Sequence, residues 1–204
     1  AMRISIGNLK NKPDLLLVDG NRADIQHIKQ KNIIKGDTLS YSIACASIIA
    51  KVTRDKIMHQ YDKIFPEYGF SRHKGYGTTF HLDILYKHKS CPIHRKSFKP
   101  VKMHLPTFQH YRDTNKLDVL SKQLVALKMI KNRNKILFFN DKYDLVYKKG
   151  DLIIIQNIIS TVDGKTINSK NSSKKLNFND EMHSFLVENK LKFKKLRLDK
   201  GYID

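Results

Sequence analysis

The 204-residue chain is strongly basic: 39 lysines and arginines stand against 19 aspartates and glutamates, a formal net charge of +20. Its length suits one well-packed domain, or a medium domain and a small one. The charge favours a polyanion, and nucleic acid over a membrane, because no apolar run approaches the roughly 18 residues that span a bilayer. Cys45 and Cys91 have neither disulfide-framework nor metal-ligand spacing, which predicts a reducing cytoplasm.

The first elements in the chain are the end of a helix, in AMRISIGNLK, and two short apolar runs that each lead to an aspartate. PDLLLVDGN predicts a buried strand over residues 15–18 that ends on Asp19, and NIIKGD predicts a second strand that leads to Asp37. Strand ends open into the crevice of an α/β sheet, so both acids are candidate catalytic or metal-binding residues. Taken alone, Asp19 before Gly20 favours a turn-capping aspartate instead.

A long helix is predicted next, over SYSIACASIIAKVTRDKIMHQYDKIF, beginning after Asp37 or Ser40. Its first half, IACASIIA, is nearly free of charge and is expected to be buried on most sides. The glycines and basic and aromatic residues of PEYGFSRHKGYGTT predict a binding loop, because glycine lets the backbone approach a ligand closely. The second helix, TTFHLDILYKHK, should turn Phe80, Ile84 and Leu85 to the core. CPIHRKSFKPVKMHLP is then expected to be an extended basic strand that leaves the domain.

The pattern restarts at Lys116. KLDVLSKQLVALKMIKNRNK predicts an amphipathic helix, and ILFF, YDLVYK and LIIIQNII predict three strands. A polar loop, GKTINSKNSSKK, a helix over NDEMHSFLVENKL and a terminal strand, FKKLRL, complete a small α/β unit. The apolar positions of the amphipathic helix are Leu117, Leu120, Leu124, Leu127 and Ile130.

Several blocks together resemble bacterial ribonuclease HII, a type 2 ribonuclease H. They are PDLLLVDGN, IIKGD, SIACASIIAKVTRDKIMHQYD, YGFSRHKGYGTTFH and PIHRKSFKPV, in order from Ala1 to about Val101. The resemblance implies a partial ribonuclease H-like fold, a mixed sheet flanked by helices. It also implies cleavage of the RNA strand of RNA–DNA hybrids, and incision of DNA at embedded ribonucleotides, with Mg²⁺ or Mn²⁺ held by four carboxylates.

Three positions carry the implied chemistry. Asp19 and Asp37 match two of the family's four metal-binding acids, and Tyr76 in KGYGT matches the tyrosine that stacks on the sugar at the ribonucleotide junction. A packed core tyrosine is the alternative for Tyr76. Further phosphate contacts are expected by charge and position, although a solvated basic face explains each of them as well: Lys51, Arg54, Lys74 and Arg95. Asp55 is interpreted as a structural acid, and the histidines without ligand spacing as structural polar residues: His73, His81 and His94.

The family's other two acids belong to an amino-terminal DEAGRG block that nothing in this chain matches. The resemblance therefore implies a truncated copy in which half of the carboxylates are absent, and we expect the chain alone to be inactive. Three readings follow from the sequence: a metal-dependent endoribonuclease represented by an incomplete copy, a non-catalytic nucleic-acid-binding module, or an unstable fragment with exposed apolar surface. A monomer is expected, although the unstable fragment would aggregate through its exposed apolar surface.

Residues 116–204 more weakly resemble a small restriction-endonuclease-like family. Asp144 matches the aspartate of that family's first strand motif, but the positions of its acid and lysine fall near Asn157 and Ile159, which cannot bind metal. A degenerate relative is therefore expected, with an unrelated α/β appendage as the alternative. The sequence thus predicts an α/β protein with a ribonuclease HII-like domain at 1–102, a linker at 103–115 and a second α/β domain at 116–204.

Overall fold

The computed structural model describes residues 2–21, 25, 28–140, 144–162, 165–166 and 195–203. These residues form two compact units, residues 1–56 and residues 57–204. The eight α-helices of the described residues are α1 Met2–Gly7, α2 Gly36–Leu39, α3 Tyr41–Ile64, α4 Phe70–His73, α5 Thr79–His88, α6 Lys99–Met103, α7 Phe108–Asp113 and α8 Leu117–Lys131, and Pro66–Tyr68 form a short 3-10 helix. The described strands are β1 Leu16–Asp19, β2 Gln30–Ile33, β3 Lys135–Asn140, β4 Asp144–Lys149, β5 Leu152–Val162, β6 Lys165–Thr166 and β7 Lys195–Ile203.

The first unit is built on a parallel pair of strands. β1 and β2 pair in register, with Leu16 opposite Gln30 and Asp19 opposite Ile33. Parallel strands bring their carboxyl ends to the same edge, so the turn after β1 and the start of α2 lie at one end of the pair. Asp19 therefore ends a strand as predicted, whereas Asp37 lies in the first turn of α2 and not on the strand itself.

The first half of α3 is exposed, so its predicted burial on most sides is wrong. Tyr41 is 92% exposed, and Ile48 and Ile49 are 62% and 67% exposed. In this half of the helix Ile43 is the apolar side chain that is buried, at 5% exposure, and it contacts the turn before α2. The periodicity therefore identified the helix correctly, but nothing in the described part of residues 1–56 covers its apolar face.

The second unit has a single apolar core that joins helices and sheet. Ile64 and Phe65, at the end of α3, are completely buried and cluster with Tyr68 and Phe70. The same cluster includes residues from α8 and from three strands, namely Ala126, Ile136, Leu145, Tyr147, Ile154 and Ile158. The end of the long helix and the predicted second region thus share one core.

The sheet of residues 57–204 contains the strands that the sequence predicts. β3, β4 and β5 form an antiparallel meander, as the three apolar runs predict, and β7 pairs parallel to β5. Tyr147 lies opposite Ile154, and both belong to the core. The expected strand FKKLRL is confirmed in β7 from Lys195 onward, whereas its first two residues and the helix predicted over NDEMHSFLVENKL lie outside the described residues.

Polar side chains of α3 bind the backbone of β3. The Gln60 side-chain oxygen accepts a hydrogen bond from Ile136 N at 2.7 Å. Lys63 Nζ donates to the carbonyls of Ile136 and Leu137, at 3.1 Å each. Gln123 Nε2 of α8 donates to the carbonyl of Ile64 at 3.3 Å. These bonds fix the end of α3 to both α8 and the sheet.

Three details depart from the predictions. Residues 91–98 form turns and are followed by α6, so the predicted extended strand is wrong; Pro100 lies in the first turn of α6, where its fixed φ suits a helix and its missing N–H costs nothing. Phe80 and Leu124, predicted to face the core, are 39% and 47% exposed.

The predicted α/β class is confirmed, and the elements are compatible with a partial ribonuclease H-like fold and a small second region. The domain limits 1–102 and 116–204 stay a prediction, although residues 103–115 contain α7.

A buried ion cluster joins α8 to β4. Lys122 Nζ lies 2.8 Å from Asp118 Oδ2 and 2.7 Å from Asp144 Oδ1, and all three side chains are largely buried. Burial lowers the pKa of Lys122, but its hydrogen bonds to the two carboxylates and their charges outweigh burial and raise it overall. Asp144 Oδ2 also accepts from Ile158 N at 2.8 Å. The acid that the sequence singled out in the second region is thus held in an ion pair with a lysine of the neighbouring helix.

Replacing Lys122 by Met should destabilise the protein by about 3–5 kcal/mol, because two buried carboxylates would lose their shared cation. Urea denaturation of residues 1–204 measures the loss. Lys128→Met is the matched control, since Lys128 is exposed on the same helix and should change the free energy of unfolding by less than about 0.5 kcal/mol. Equal effects of the two changes would contradict a stabilising role for the cluster.

Candidate functional site

The carboxylate of Asp19 is held by the backbone of Gly36, which lies after β2 at the start of α2. Asp19 Oδ1 accepts a hydrogen bond from Gly36 N at 2.8 Å, and Gly20 N donates to Ile33 O at 2.9 Å. Asp19 is nevertheless exposed to solvent. A carboxylate has about four lone-pair positions, so one backbone bond orients Asp19 and leaves acceptor capacity for a ligand.

Gly36 couples the two candidate acids. It is buried and immediately precedes Asp37, which is exposed in the first turn of α2. A Cβ atom on Gly36 would lie 2.6 Å from Ile43 Cδ1 and 3.4 Å from Asp19 Oδ1. Glycine therefore lets this turn approach β1 closely enough for the backbone N–H to reach Asp19. One short turn thus carries both the donor that orients Asp19 and the second acid.

The donor set fits a divalent cation in part. Asp19 and Asp37 offer exposed carboxylate oxygens, the hard ligands that Mg²⁺ and Mn²⁺ bind. Within the part of the chain that the structure describes, no group of three or more His, Cys, Asp or Glu side chains could hold a metal ion. The two acids therefore make up a fraction of a ligand set.

Lys51 and Arg54, the candidate phosphate contacts on α3, differ in their surroundings. Lys51 is exposed. Arg54 contacts its neighbour Asp55, with Nε and Nη2 each 3.0 Å from Asp55 Oδ1. The structural role that the sequence suggests for Asp55 agrees with this pair, which holds the guanidinium close to the helix surface.

Tyr76 lies exposed on a loop whose backbone is closely held. Its side chain is 60% exposed, so the packed core tyrosine considered from the sequence is wrong. Tyr76 N donates to His73 O, and Thr78 N donates to Tyr76 O, both at 2.9 Å. The preceding Gly75 has φ +84°, which favours glycine. The loop therefore presents an aromatic ring to solvent from a defined backbone.

Three histidines surround this loop. His81 Nδ1 lies 2.9 Å from Tyr76 O, and Gly75 N donates to His73 Nδ1 at 3.1 Å. The rings of His73 and His81 stack with centroids 4.0 Å apart, and His81 Nε2 lies 3.1 Å from His94 Nε2. The sequence separates these residues widely, and it identified them only as structural polar side chains.

Burial keeps His81 and His94 neutral. Burial, together with the nearby His81, lowers the pKa of His94 to about 4, although the contact with the Cys91 backbone opposes the shift. It also lowers the pKa of His81, against the hydrogen bond to the Tyr76 carbonyl, which raises it. Burial raises the pKa of Cys91 to about 12, so the Cys91 thiol stays protonated at neutral pH. These groups therefore act as neutral hydrogen-bonding partners.

Cationic side chains border the loop. Lys74 Nζ contacts Ser71 O and lies 3.0 Å from His59 Nε2. The guanidinium of Arg95 lies 4.9 Å above the Phe98 ring, and that of Arg72 lies 4.3 Å above the Phe80 ring. Arg and Lys beside an exposed tyrosine can contact the phosphates and sugars of a nucleic acid. Arg72 belongs to the binding loop that the sequence predicts, in RHKGYGT, although it was not among the four expected phosphate contacts.

A cavity of about 160 Å³ lies beneath the same loop. Its wall includes Gly75, Gly77, His81 and His94, and Arg95 lies at its border. The remaining lining is mainly apolar, with Met58, Phe70 and Leu85 among its members. The candidate residues thus divide between the two units: Asp19, Asp37, Lys51 and Arg54 lie in residues 1–56, and Lys74, Tyr76 and Arg95 lie in residues 57–204. No helix in the described ranges is both long enough and apolar enough to cross a bilayer.

Comparison with known proteins gives a match over the first half of the chain. A family model described as Ribonuclease HII matches residues 1–101. Ribonuclease HII of Mycoplasma capricolum is 56% identical over 101 residues, which are 49% of this chain and 49% of that protein. Ribonuclease HII of Acetivibrio thermocellus is 55% identical over 98 residues, which are 48% of this chain and 38% of that protein. The matched region thus spans half or less of the length of these relatives.

The histidine cluster makes stability depend on pH. The pKa of His94 is about 4 in the fold against 6.5 ordinarily, so the unfolded chain binds the proton first as pH falls. The stability that His94 contributes should be complete above pH 6.5 and be lost between pH 6.5 and about 4. Urea denaturation across this range should show the advantage of wild type over His94→Gln shrinking as pH falls. A difference independent of pH would contradict a buried neutral His94.

Proposed function

Because residues 1–101 match the family model described as Ribonuclease HII, we propose that this chain carries part of the active site of a metal-dependent endoribonuclease. Its substrates are RNA–DNA hybrids and DNA duplexes that contain embedded ribonucleotides. The observation that carries the proposal is the start of α2, where Gly36 N binds the exposed carboxylate of Asp19 at the end of β1 and Asp37 directly follows Gly36. Oriented acids at a strand end suit phosphodiester hydrolysis.

Asp19 and Asp37 would hold a divalent cation, Mg²⁺ or Mn²⁺, through their carboxylate oxygens. A cation bound there supplies Lewis acidity toward the phosphodiester and lowers the pKa of a coordinated water. The residues of the chain contribute orientation. The hydrogen bond from Gly36 N orients the Asp19 carboxylate, and Asp37 directly follows Gly36 in the sequence.

Tyr76 would contact the sugar at the junction between ribonucleotide and deoxyribonucleotide. RNA differs from DNA at a given site by its 2′-hydroxyl, so an exposed aromatic ring on a fixed loop is suited to sense sugar identity. Lys51, Arg54, Lys74 and Arg95 would bind phosphates and set the register of the duplex. Arg54 would have to share its guanidinium between Asp55 and a phosphate.

The polypeptide of residues 1–204, expressed by itself, would bind nucleic acid without cutting it. It supplies two of the four acids that the resemblance to ribonuclease HII implies, and two carboxylates concentrate a divalent cation weakly. We place this polypeptide in the cytoplasm, because its two cysteines are both free thiols.

A non-catalytic binding module is the second candidate. The observation that favours it is the exposed Tyr76 flanked by Lys74 and by the arginines that lie over Phe80 and Phe98. These groups lie in residues 57–204, apart in sequence from the acidic turn, and they can bind a backbone without any metal. The exposed Tyr41, Ile48 and Ile49 of α3 are the feature that a degenerate fragment would show.

A chimera tests the catalytic proposal. The part of Mycoplasma capricolum ribonuclease HII that lies outside its 101 matched residues, joined ahead of residues 1–204, should cleave a DNA duplex containing one ribonucleotide in the presence of Mg²⁺ or Mn²⁺. Asp19→Asn in the chimera should abolish cleavage and spare binding, because the carboxylate charge that holds the cation is removed. Gel electrophoresis of the end-labelled duplex measures cleavage.

Asp14→Asn is the matched control, since Asp14 is an exposed acid shortly before β1 and should leave cleavage unchanged. Full activity of the Asp19→Asn chimera would refute the role of Asp19. Binding without cleavage by a folded chimera would favour the non-catalytic module instead.

Binding by residues 1–204 should weaken with salt, because phosphate contacts release counterions. A plot of log affinity against log salt between about 50 and 200 mM should be linear. Arg95→Gln should make its slope shallower by about one unit, the effect of one lost phosphate contact. Fluorescence anisotropy with a labelled RNA–DNA hybrid measures the slope. Lys149→Gln, a change to an exposed lysine of β4, is the control and should leave the slope as in wild type.

A further inference from the structure

The exposed ring of Tyr76 depends on its backbone for its position. Gly75 and Gly77 flank it, and glycine gives a chain more conformational freedom than other residues. A flexible loop would lose that freedom on binding, which weakens affinity and blurs discrimination between similar substrates. The contacts that restrain residues 75 and 76 therefore bear directly on what Tyr76 can sense.

Two histidines provide restraints through their side chains. His73 Nδ1 accepts from Gly75 N at 3.1 Å, and His81 Nδ1 lies 2.9 Å from Tyr76 O. Both histidines are less than 10% exposed, and their rings stack at 4.0 Å. One ring therefore binds the N–H of Gly75 and the other binds the carbonyl of Tyr76.

The hydrogen bonds fix where each proton lies. A carbonyl can only accept, so His81 must carry its proton on Nδ1, which leaves Nε2 as an acceptor. His94 Nε2, 3.1 Å away, must then donate to His81 Nε2. His94 Nδ1 is left as an acceptor, and it receives Cys91 N at 3.1 Å. Each assignment follows from the one before it.

The remaining members agree with this order. Cys91 Sγ lies 3.1 Å from His94 Nδ1 and can donate its S–H there. His73 Nε2 lies 2.9 Å from the carbonyl of Tyr68 and must donate, so His73 Nδ1 is free to accept from Gly75 N. Thr78 caps α5 by accepting from His81 N, which places His81 in the first turn of that helix. Neutral rings thus satisfy these contacts, while His94 Nδ1 also lies 3.3 Å from Cys91 O, a pair that does not hydrogen-bond in this arrangement because both atoms are acceptors.

We propose that His94 and His81 form a directional hydrogen-bond relay, from the Cys91 turn to the Tyr76 carbonyl, that positions Tyr76 for contact with a ribonucleotide. His73 restrains the preceding Gly75 in parallel. His81, His94 and His73 are positioning residues, since they act through the loop and not on the substrate. The proposal rests on the proposed function for its consequence, but not for its geometry.

The ring protons test the geometry directly. In ¹⁵N NMR spectra of residues 1–204 at pH 7.5, His81 should show the Nδ1-protonated form, and His94 and His73 the Nε2-protonated form. Observation of His81 as the Nε2-protonated form, or of a charged His94, would overturn the relay. This measurement needs neither metal nor nucleic acid.

Two substitutions of His94 test the direction of the relay. Gln can place its amide N–H near the position of Nε2 and keep the donation to His81, whereas Asn places its polar atoms nearer to Nδ1 and loses that donation. His94→Asn should therefore release His81 from its Nδ1-protonated form, and His94→Gln should keep it. His110→Asn, a change in α7, is the control and should leave the protonated forms of His81 and His94 as in wild type.

Binding of residues 1–204 to two duplexes tests the consequence. The probes are a DNA duplex with one ribonucleotide and the same sequence entirely of DNA, without metal, and the readout is the ratio of their Kd values. His94→Asn should reduce the ratio roughly fivefold, as for one lost neutral hydrogen bond, with the Kd for plain DNA unchanged, while His94→Gln retains the wild-type ratio. Equal ratios for the two variants would overturn the proposal. A wild-type chain that binds both duplexes alike contradicts the proposed function of Tyr76, and the NMR result then decides the relay by itself.

Discussion

The burial of the carboxyl-terminal end of α3 is the constraint on which residues 57–204 depend. Ile64 and Phe65 have no exposed surface, and Phe65 makes edge contacts with the rings of Tyr68 and Phe70. Phe70 in turn packs against the imidazoles of His73, His81 and His94. The same end of α3 is bound by Gln123 of α8 and contacts β3 through Gln60 and Lys63. One helix end thus supports both the loop that carries Tyr76 and the sheet.

The two candidate functional elements are built in a similar way. Asp19 is oriented by a backbone N–H from the next turn, and Tyr76 is held through its own backbone by neutral histidines. Both of these contacts are made with neutral groups. The chain has a net charge of +20, which favours a polyanion. Some of its cations pair with carboxylates: Lys122 lies between Asp118 and Asp144, and Arg54 contacts Asp55.

Much of the local structure could be predicted because it depends on short-range patterns. The apolar periodicity of α8 and the three runs that form β3, β4 and β5 gave the correct elements, and PDLLLVDGN gave the strand that ends on Asp19. The burial of α3 could not be predicted, because periodicity shows that a face is apolar but not what covers it. The predicted burial of Leu124 was wrong for the same reason: Gln123 and Ala126 occupy the buried side of α8. Residues 91–98 form turns, whereas their basic composition suggested an extended strand.

The candidate site was predictable to a different degree. Asp19, Asp37 and Tyr76 came from motif resemblance, and their roles stay predictions. The histidine relay could not be found in the sequence, because His94 meets His81 only after the turn at Cys91 folds back onto α5. Likewise, nothing local to YDLVYK indicates that Asp144 would pair with a lysine of the preceding helix. Such pairings depend on tertiary packing, which single-sequence patterns do not encode.

The contacts of Gln60 and Lys63 have a consequence for assembly. Among the described strands, β3 is the outer strand of the β3–β4–β5 meander, and an outer strand offers unpaired N–H and C=O groups to any other chain. Gln60 occupies the N–H of Ile136, and Lys63 occupies the carbonyls of Ile136 and Leu137. The helix therefore shields this border from intermolecular strand addition. A newly made chain gains that protection only once α3 has docked, so the apolar strands are most prone to aggregation before this step.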